Sequence, residues 1–206
     1  ADQLLERFYH ILGRYGVGTD ARHSEVFWSE KDAVLMTYAD MVSQKGDVPL
    51  DTLRHFCAER LKGAFSIVHL LPFYPWSSDD GFSVVDYRQV DERYGAWEHI
   101  RSFADEFDLM FDLVLNHCSA GSDWFLDYVS GVEPALNYIR EEDPEADLTA
   151  VVRPRSSPLL TPTSTRDGER YVWTTFSSDQ VDLDWRSPDL LFEFLDIILK
   201  YVSEGS

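Results

Sequence analysis

Residues 65–82 read FSIVHLLPFYPWSSDDGF. The run through Leu71 is almost continuously apolar, shows no helical period and stops at Pro72. That pattern predicts a strand buried on both faces, as in a parallel sheet. The second half sets Phe73, Tyr74 and Trp76 beside Asp79 and Asp80. Sugar sites use this mixture, because ring faces stack on aromatics and vicinal hydroxyls donate to carboxylates. The same composition also suits an ordinary surface turn.

Two similar runs lie on either side. AVLMTYAD (33–40) predicts a first strand and LMFDLVLNH (109–117) a third. Helical spacing fills the gaps. Leu50, Leu53, Phe56, Cys57 and Leu61 mark one helix; Trp97, Ile100, Phe103, Ala104 and Phe107 mark the next. A third helix comes late. Ser187-Pro188-Asp189 supplies an N-cap, a proline at the first position and an early acid. Leu191, Phe194, Leu195, Ile198 and Val202 form its predicted stripe, and Gly205 its stop. About 70 residues separate His117 from Ser187, far more than a normal connection, which predicts an inserted subdomain. At the start, Leu4, Leu5, Phe8, Ile11, Leu12 and Tyr15 share one face of a docking helix that ends between Gly13 and Gly18.

The chain has 206 residues, 44% hydrophobic and 27% charged, which is globular and not disordered. Asp and Glu number 37 against 18 Lys and Arg, a formal charge of −19. A field of that sign repels nucleic acid and anionic membranes, so neither is an expected partner. Two cysteines, Cys57 and Cys118, make no disulfide framework. With an acidic N-terminal stretch unlike a signal peptide and no long apolar span, a cytoplasmic location is expected.

In parallel α/β folds chemistry gathers at the carboxyl ends of strands. Those ends hold Tyr38-Ala39-Asp40, the 72–82 loop and Asn116-His117. His117 reads equally as a hydrogen-bonding cap of the sheet or as a site residue. Asp112, inside an apolar run, needs a partner to be buried at tolerable cost, and it could orient a loop or approach a substrate. Arg153 and Arg155 stand one residue apart in a very acidic chain. They read as charge balance or as a phosphate or carboxylate clamp.

In order along the chain, several segments resemble the α-amylase superfamily, glycoside hydrolase family 13. They are FSIVHLLPFYP, then Asp79-Asp80-Gly81-Phe82 with Val85-Asp86-Tyr87 and Val90-Asp91, then Asp112-Leu-Val-Leu-Asn116-His117, then Gln180-Val-Asp182-Leu-Asp184. HLLPFYPWSSDDGF, the Arg153–Arg155 pair, WTTFSSDQVDLD and LMTYAD are similar to the sucrose phosphorylase branch. The resemblance implies an α/β fold: the first three strand–helix units of a partial TIM (β/α)8 barrel, with a subdomain B inserted after strand 3. The implied division is an N-terminal helical extension (1–32), strands 1–3 with helices 1–2 (33–117), subdomain B (118–187) and helix 3 (188–206).

The implied activity is a retaining α-glucoside phosphorylase, in which inorganic phosphate is the co-substrate, α-glucose 1-phosphate the product, and no cofactor takes part. Asp79 and His117 would bond the glucosyl ring and Phe82 would stack on it. Arg155, with Arg153, would meet phosphate on a mobile loop. Asp112 and Asn116 would be structural, and no metal is expected, although calcium-dependent amylases use that Asn. The nucleophile Asp and acid/base Glu of the family fall on strands four and five, beyond Ser206. The chain is therefore expected to need the remainder of its polypeptide as a partner and to be inactive alone. Ser83 stands where sucrose phosphorylases carry Asp, and RPRSSPLLTP is closer to relatives acting on glucosylglycerate or glucosylglycerol; both point away from sucrose as donor. An α-glucosidase or transglucosidase, and a non-catalytic sugar-binding half-barrel, are the alternative readings.

Overall fold

The computed structural model describes residues 2–17, 28–30, 32–153 and 155–206. Gly18, the outer limit expected for the first helix, most of the stretch between that helix and the first strand, and Pro154 lie outside the described residues. The chain divides into two units. One comprises Ala1–Tyr74, Arg88–Leu113 and Phe194–Ser206; the other comprises Pro75–Tyr87 and Val114–Glu193.

The first unit opens with α1 (Asp2–Arg14) and is built on three strands. These are β1 (Val34–Thr37), β2 (Ile67–Leu70) and β3 (Asp108–Phe111), in that order and parallel throughout. Parallel neighbours need crossovers, and helices provide them. Between β1 and β2 lies α2 (Pro49–Phe56), which runs on through one π-helical turn, Cys57–Leu61. Between β2 and β3 lies α3 (Trp97–Ala104). Proline at the first position of α2 costs no hydrogen bond there. The predicted apolar positions Leu50, Leu53, Cys57, Ile100 and Phe103 are buried.

The strands alternate more than their apolar sequence suggests. Thr37, Val68, Leu70 and Leu109 are buried on one face. On the other face the register aligns Val34, Ile67 and Asp108 in one row and Met36, His69 and Met110 in the next. Val34, Met36 and Met110 are exposed, Met36 to 62%. The expectation of a sheet covered on both faces is corrected here: the described residues cover one face only.

The third apolar run is also shorter than predicted. β3 ends at Phe111. Asp112, the next residue, accepts from His69 Nε2 at 2.9 Å across the neighbouring strand, and its carbonyl accepts from Tyr74 Oη at 3.0 Å. That pairing lets a half-buried carboxylate sit at a strand end. His117 does not end this strand; it begins an element of the second unit.

The third predicted helix is α5 (Pro188–Ser203), with a different buried stripe. Leu190, Phe194, Ile197 and Tyr201 are buried, whereas Leu191 is 54% and Val202 59% exposed. The two stripes have the same helical period and lie one residue apart, so periodicity alone could not choose between them. Tyr201 stacks on Tyr74 with ring centroids 5.2 Å apart. On α1 only Ile11 of the predicted apolar face is buried, while Leu4, Leu5 and Phe8 are exposed. Its end is held by charge instead: Arg14 (2.8 Å) and Tyr15 (3.1 Å) bond Asp196, which also pairs with Arg88 at 3.0 Å.

The second unit contains β4 (His117–Ser119) and α4 (Asp123–Ser130). It also contains the hairpin of β5 (Leu160–Thr165) with β6 (Gly168–Trp173), and β7 (Gln180–Asp182). β4 and β7 pair antiparallel, with His117 opposite Asp182 and Ser119 opposite Gln180. Ser122 caps α4 by accepting from the Phe125 amide at 3.2 Å. The helix ends at Gly131 in the left-handed region (φ 71), where a side chain would also strike the Arg166 guanidinium.

Candidate active site

The site residues of the second unit converge on β4 and β7. Gln180 is buried, and its amide Nε2 lies 2.8 Å from Asp79 Oδ2 and 3.1 Å from His117 Nε2. His117 Nε2 also lies 3.0 Å from the Phe82 carbonyl. With its proton on Nε2, the ring donates to that carbonyl, Nδ1 is left to accept from the Asn116 amide at 3.4 Å, and the Gln180 amide donates to Asp79 and only packs against Nε2. Three of the residues singled out in the sequence, Asp79, Phe82 and His117, are thereby brought together. Asp79 is solvent-exposed, Phe82 half-buried and His117 buried, so one carboxylate and one aromatic sit beside a buried polar group.

Two backbone features fix this constellation. Tyr87 Oη donates to the His117 carbonyl at 2.6 Å and approaches the Val114 carbonyl at 3.1 Å, which pins the start of β4. Asp79 to Gly81 form a single 3₁₀ turn, in which Asp79 (φ 57) and Asp80 (φ 49) both take the left-handed region. Non-glycine residues adopt that region uncommonly, and aspartate is among those that tolerate it best.

Electrostatics follow from burial. Desolvation pushes the His117 pKa below its ordinary value, against the opposing pull of the Phe82 carbonyl and of Asp182, Asp79 and Asp179. The ring is therefore neutral at pH 7, able to donate and accept without carrying charge. Asp182, opposite it, has its pKa raised by burial, which outweighs the Thr175 and Asn116 hydrogen bonds that favour its ionised form. Cys118 is fully buried beside them, and desolvation pushes its thiol up to about 12, which makes it inert as a nucleophile.

The two arginines divide. Arg153 is committed inside its own loop: it donates to the Thr175 carbonyl at 2.7 Å and to the Ser157 hydroxyl at 3.3 Å, and it also bonds the Ser157 carbonyl. The exposed Arg155 instead lies over the Phe176 ring at 5.9 Å, and that ring is 5.1 Å from His117. Arg155 thus borders the His117 constellation, and Arg153 braces the loop that carries it. Asn116 donates to Asp182 at 3.3 Å. Among the described residues no group of three or more His, Cys, Asp or Glu is arranged to hold a metal ion.

Sequence reasoning assigned no role to Gln180, Phe176 or Asp179. Each lies in a stretch that matched the family, WTTFSSDQVDLD, but no periodicity or charge pattern separates these three from their neighbours. Their partners lie as far as 102 residues away along the chain.

Comparison with known proteins identifies the family. A sequence model of the alpha-amylase catalytic domain matches residues 63–206. The glucosylglycerate phosphorylase of Allomeiothermus silvanus is 49% identical over 98% of this chain and 37% of its own. That of Escherichia coli is 48% identical over 87% of this chain and 32% of its own. The sucrose phosphorylase of Agrobacterium vitis is more distant, 35% identical over 84% and 37% respectively. The chain thus spans roughly a third of the length of these relatives. The crystal structure of sucrose 6F-phosphate phosphorylase from Thermoanaerobacter thermosaccharolyticum superposes with a TM-score of 0.78 at 25% identity, over 86% of this chain and 39% of that one. The ordered motifs and the three parallel strands therefore have one common explanation: the chain belongs to the alpha-amylase catalytic-domain family, glycoside hydrolase family 13, with glucosylglycerate and sucrose phosphorylases among its relatives.

Proposed function

We propose that the chain is the N-terminal portion of a retaining α-glucoside phosphorylase that moves a glucosyl group from glucosylglycerate to inorganic phosphate. The observation that carries this reading is the Asp79–Gln180–His117 contact set. It holds an exposed carboxylate beside a neutral imidazole: Asp79 can accept from a sugar hydroxyl directly, and His117 bonds a neighbouring one by exchanging its Phe82 carbonyl contact. Phe82 supplies the ring face for stacking. Arg155 supplies a cation for phosphate in a chain of net charge −19, where an anion needs local compensation. The stronger likeness to glucosylglycerate phosphorylases than to a sucrose phosphorylase supports the donor.

In the retaining mechanism two carboxyl groups about 5–5.5 Å apart act as nucleophile and acid/base. In this reading both come from chain following Ser206. The residues present here bind and orient: Asp79, His117 and Phe82 hold the glucosyl ring, and Arg155 delivers phosphate to the glucosyl–enzyme where a hydrolase would admit water. The rows Val34–Ile67–Asp108 and Met36–His69–Met110 face the interior of the completed barrel, and residues 118–187 form subdomain B.

The test uses the full-length protein with glucosylglycerate, with and without phosphate, while glucose 1-phosphate is followed. Phosphate-dependent formation of that ester is expected; equal sugar release without phosphate rejects the reading. Replacing Arg155 with Gln is expected to raise the phosphate KM about tenfold or more, the worth of a charge-assisted hydrogen bond, and to leave the glucoside KM nearly unchanged. Equal losses for both substrates would count against Arg155 as the phosphate ligand.

A further inference from the structure

We propose that Asp179 is a positioning residue for the glucosyl-binding turn, gathering three serine hydroxyls from residues 77–83 onto one carboxylate oxygen. The proposal rests on the assignment of Asp79 and Phe82 to glucosyl binding made above.

The turn needs holding. Asp79 and Asp80 are consecutive left-handed residues without glycine, a conformation that persists only where its surroundings fix it. Part of that fixing is internal. The Ser77 amide donates to the Ser83 carbonyl at 3.1 Å, the Ser83 amide to the Ser78 carbonyl at 3.2 Å, and the Phe82 amide to the Asp79 carbonyl at 3.0 Å. These bonds close the loop on itself but tie it to nothing else. Asp179 adds an outside attachment to the one His117 makes at the Phe82 carbonyl. Its Oδ2 accepts from Ser77 Oγ at 2.6 Å and from Ser83 Oγ at 2.8 Å, and also from Ser78 Oγ. Ser83 Oγ additionally lies 3.1 Å from the Asp179 carbonyl.

Each serine hydroxyl has one proton to give. With the Ser77 proton spent on Asp179, its oxygen is free to accept from Ser119 Oγ at 2.7 Å, which extends the knot to β4. The anchor is itself fixed, since the Asp179 carbonyl accepts from the Ala120 amide at 2.8 Å. Its neighbour Gln180 opens β7 and donates to Asp79. Beside the His117 bond from β4, the turn is therefore held from two adjacent residues of one strand end: Asp179 grips its serines and Gln180 its carboxylate. Burial would raise the Asp179 pKa, yet the three hydroxyls and the backbone bond together hold it below the ordinary value. The hydroxyls are thus arranged for an anion.

The test is kinetic and uses the full-length phosphorylase. Asp179→Asn keeps the volume and removes the charge. The glucoside KM should rise about tenfold or more, as expected for loss of a charged hydrogen-bond acceptor, while the phosphate KM stays within about twofold. Ser83→Ala should move the glucoside KM in the same direction by less. The double variant should be no worse than Asp179→Asn alone, because both changes break one knot. A glucoside KM unchanged in Asp179→Asn, equal rises in both KM values, or additive losses in the double variant would overturn the proposal. Should Asp179→Asn fail to fold, Ser78→Ala and Ser83→Ala decide, and an unchanged glucoside KM in both overturns it. Asp79→Asn separates the two levels. If it leaves the glucoside KM untouched, the glucosyl-site reading falls and takes this one with it; if it raises that KM while Asp179→Asn does not, only the positioning role falls.

Discussion

In the first unit the strands are placed by packing. Val68, Leu70, Leu50, Ile100 and Phe103 are wholly buried, and Asp112 is accommodated afterwards by a single histidine partner. In the second unit the important segments are placed by polar contacts. Ser77, Ser78 and Ser83 meet Asp179, Gln180 meets Asp79 and His117, and Tyr87 meets the His117 backbone. Apolar packing is forgiving of shape and costly to hollow out. A hydrogen-bond network is demanding of geometry, and its members fail together. Packing of the first kind gives a stable scaffold, and contacts of the second kind hold atoms to a fraction of an ångström.

The largest effect should come from hollowing the first unit. Phe103→Ala is expected to cost about 3–5 kcal/mol, read as a lower urea midpoint of the full-length protein, because it empties a fully buried aromatic site. A loss no larger than that of an exposed substitution would undo the contrast between the units. A smaller effect is expected from Tyr87→Phe, which keeps the ring and deletes the hydroxyl that donates to the His117 carbonyl. About 1–2 kcal/mol should be lost by the same measurement.

The smallest concerns pH, and its sign is fixed by burial. The His117 pKa is lowered in the folded protein, so the unfolded chain takes up the proton first. The contribution of His117 is fully present above its ordinary value of 6.5 and is lost as pH falls from there toward the folded value. The unfolding midpoint should therefore drop between pH 7.5 and pH 5.5 by less in His117→Gln than in the native protein. Asp182 acts in the opposite sense: its raised pKa makes its contribution present at low pH and lost as pH rises above the ordinary 3.8. Equal drops in the two proteins would mean that His117 is not desolvated.

The contrast also explains what could be read from the sequence. The first unit was largely legible because local periodicity reports packing: Leu50, Leu53, Cys57, Ile100 and Phe103 lie where their spacing put them. Two readings failed for the same physical reason. Asp112-Leu-Val-Leu-Asn116 looks like more strand, yet the backbone leaves the sheet at Phe111 and re-forms a ladder with β7 only from His117. On α5 two neighbouring stripes share one period, and only the tertiary environment selects Leu190, Phe194, Ile197 and Tyr201. Asp79, Phe82 and His117 could be picked out because a family pattern surrounds them, and they do meet. Asp179 and Gln180 could not, since the value of a serine–aspartate knot lies in contacts across about a hundred residues and leaves no period behind.

The bare rows of the three-stranded sheet also bear on how such a polypeptide is made. Parallel pairing closes long loops and forms slowly, and Met36 and Met110 stand exposed on the bare face of the sheet. A sheet in this state is adhesive, and its sticky side is the pair of rows that carry Val34, Ile67, Met36 and Met110 between Asp108 and His69. The yield of folded chain is then a race between covering those rows and aggregation, and a holding chaperone that shields them would tilt it.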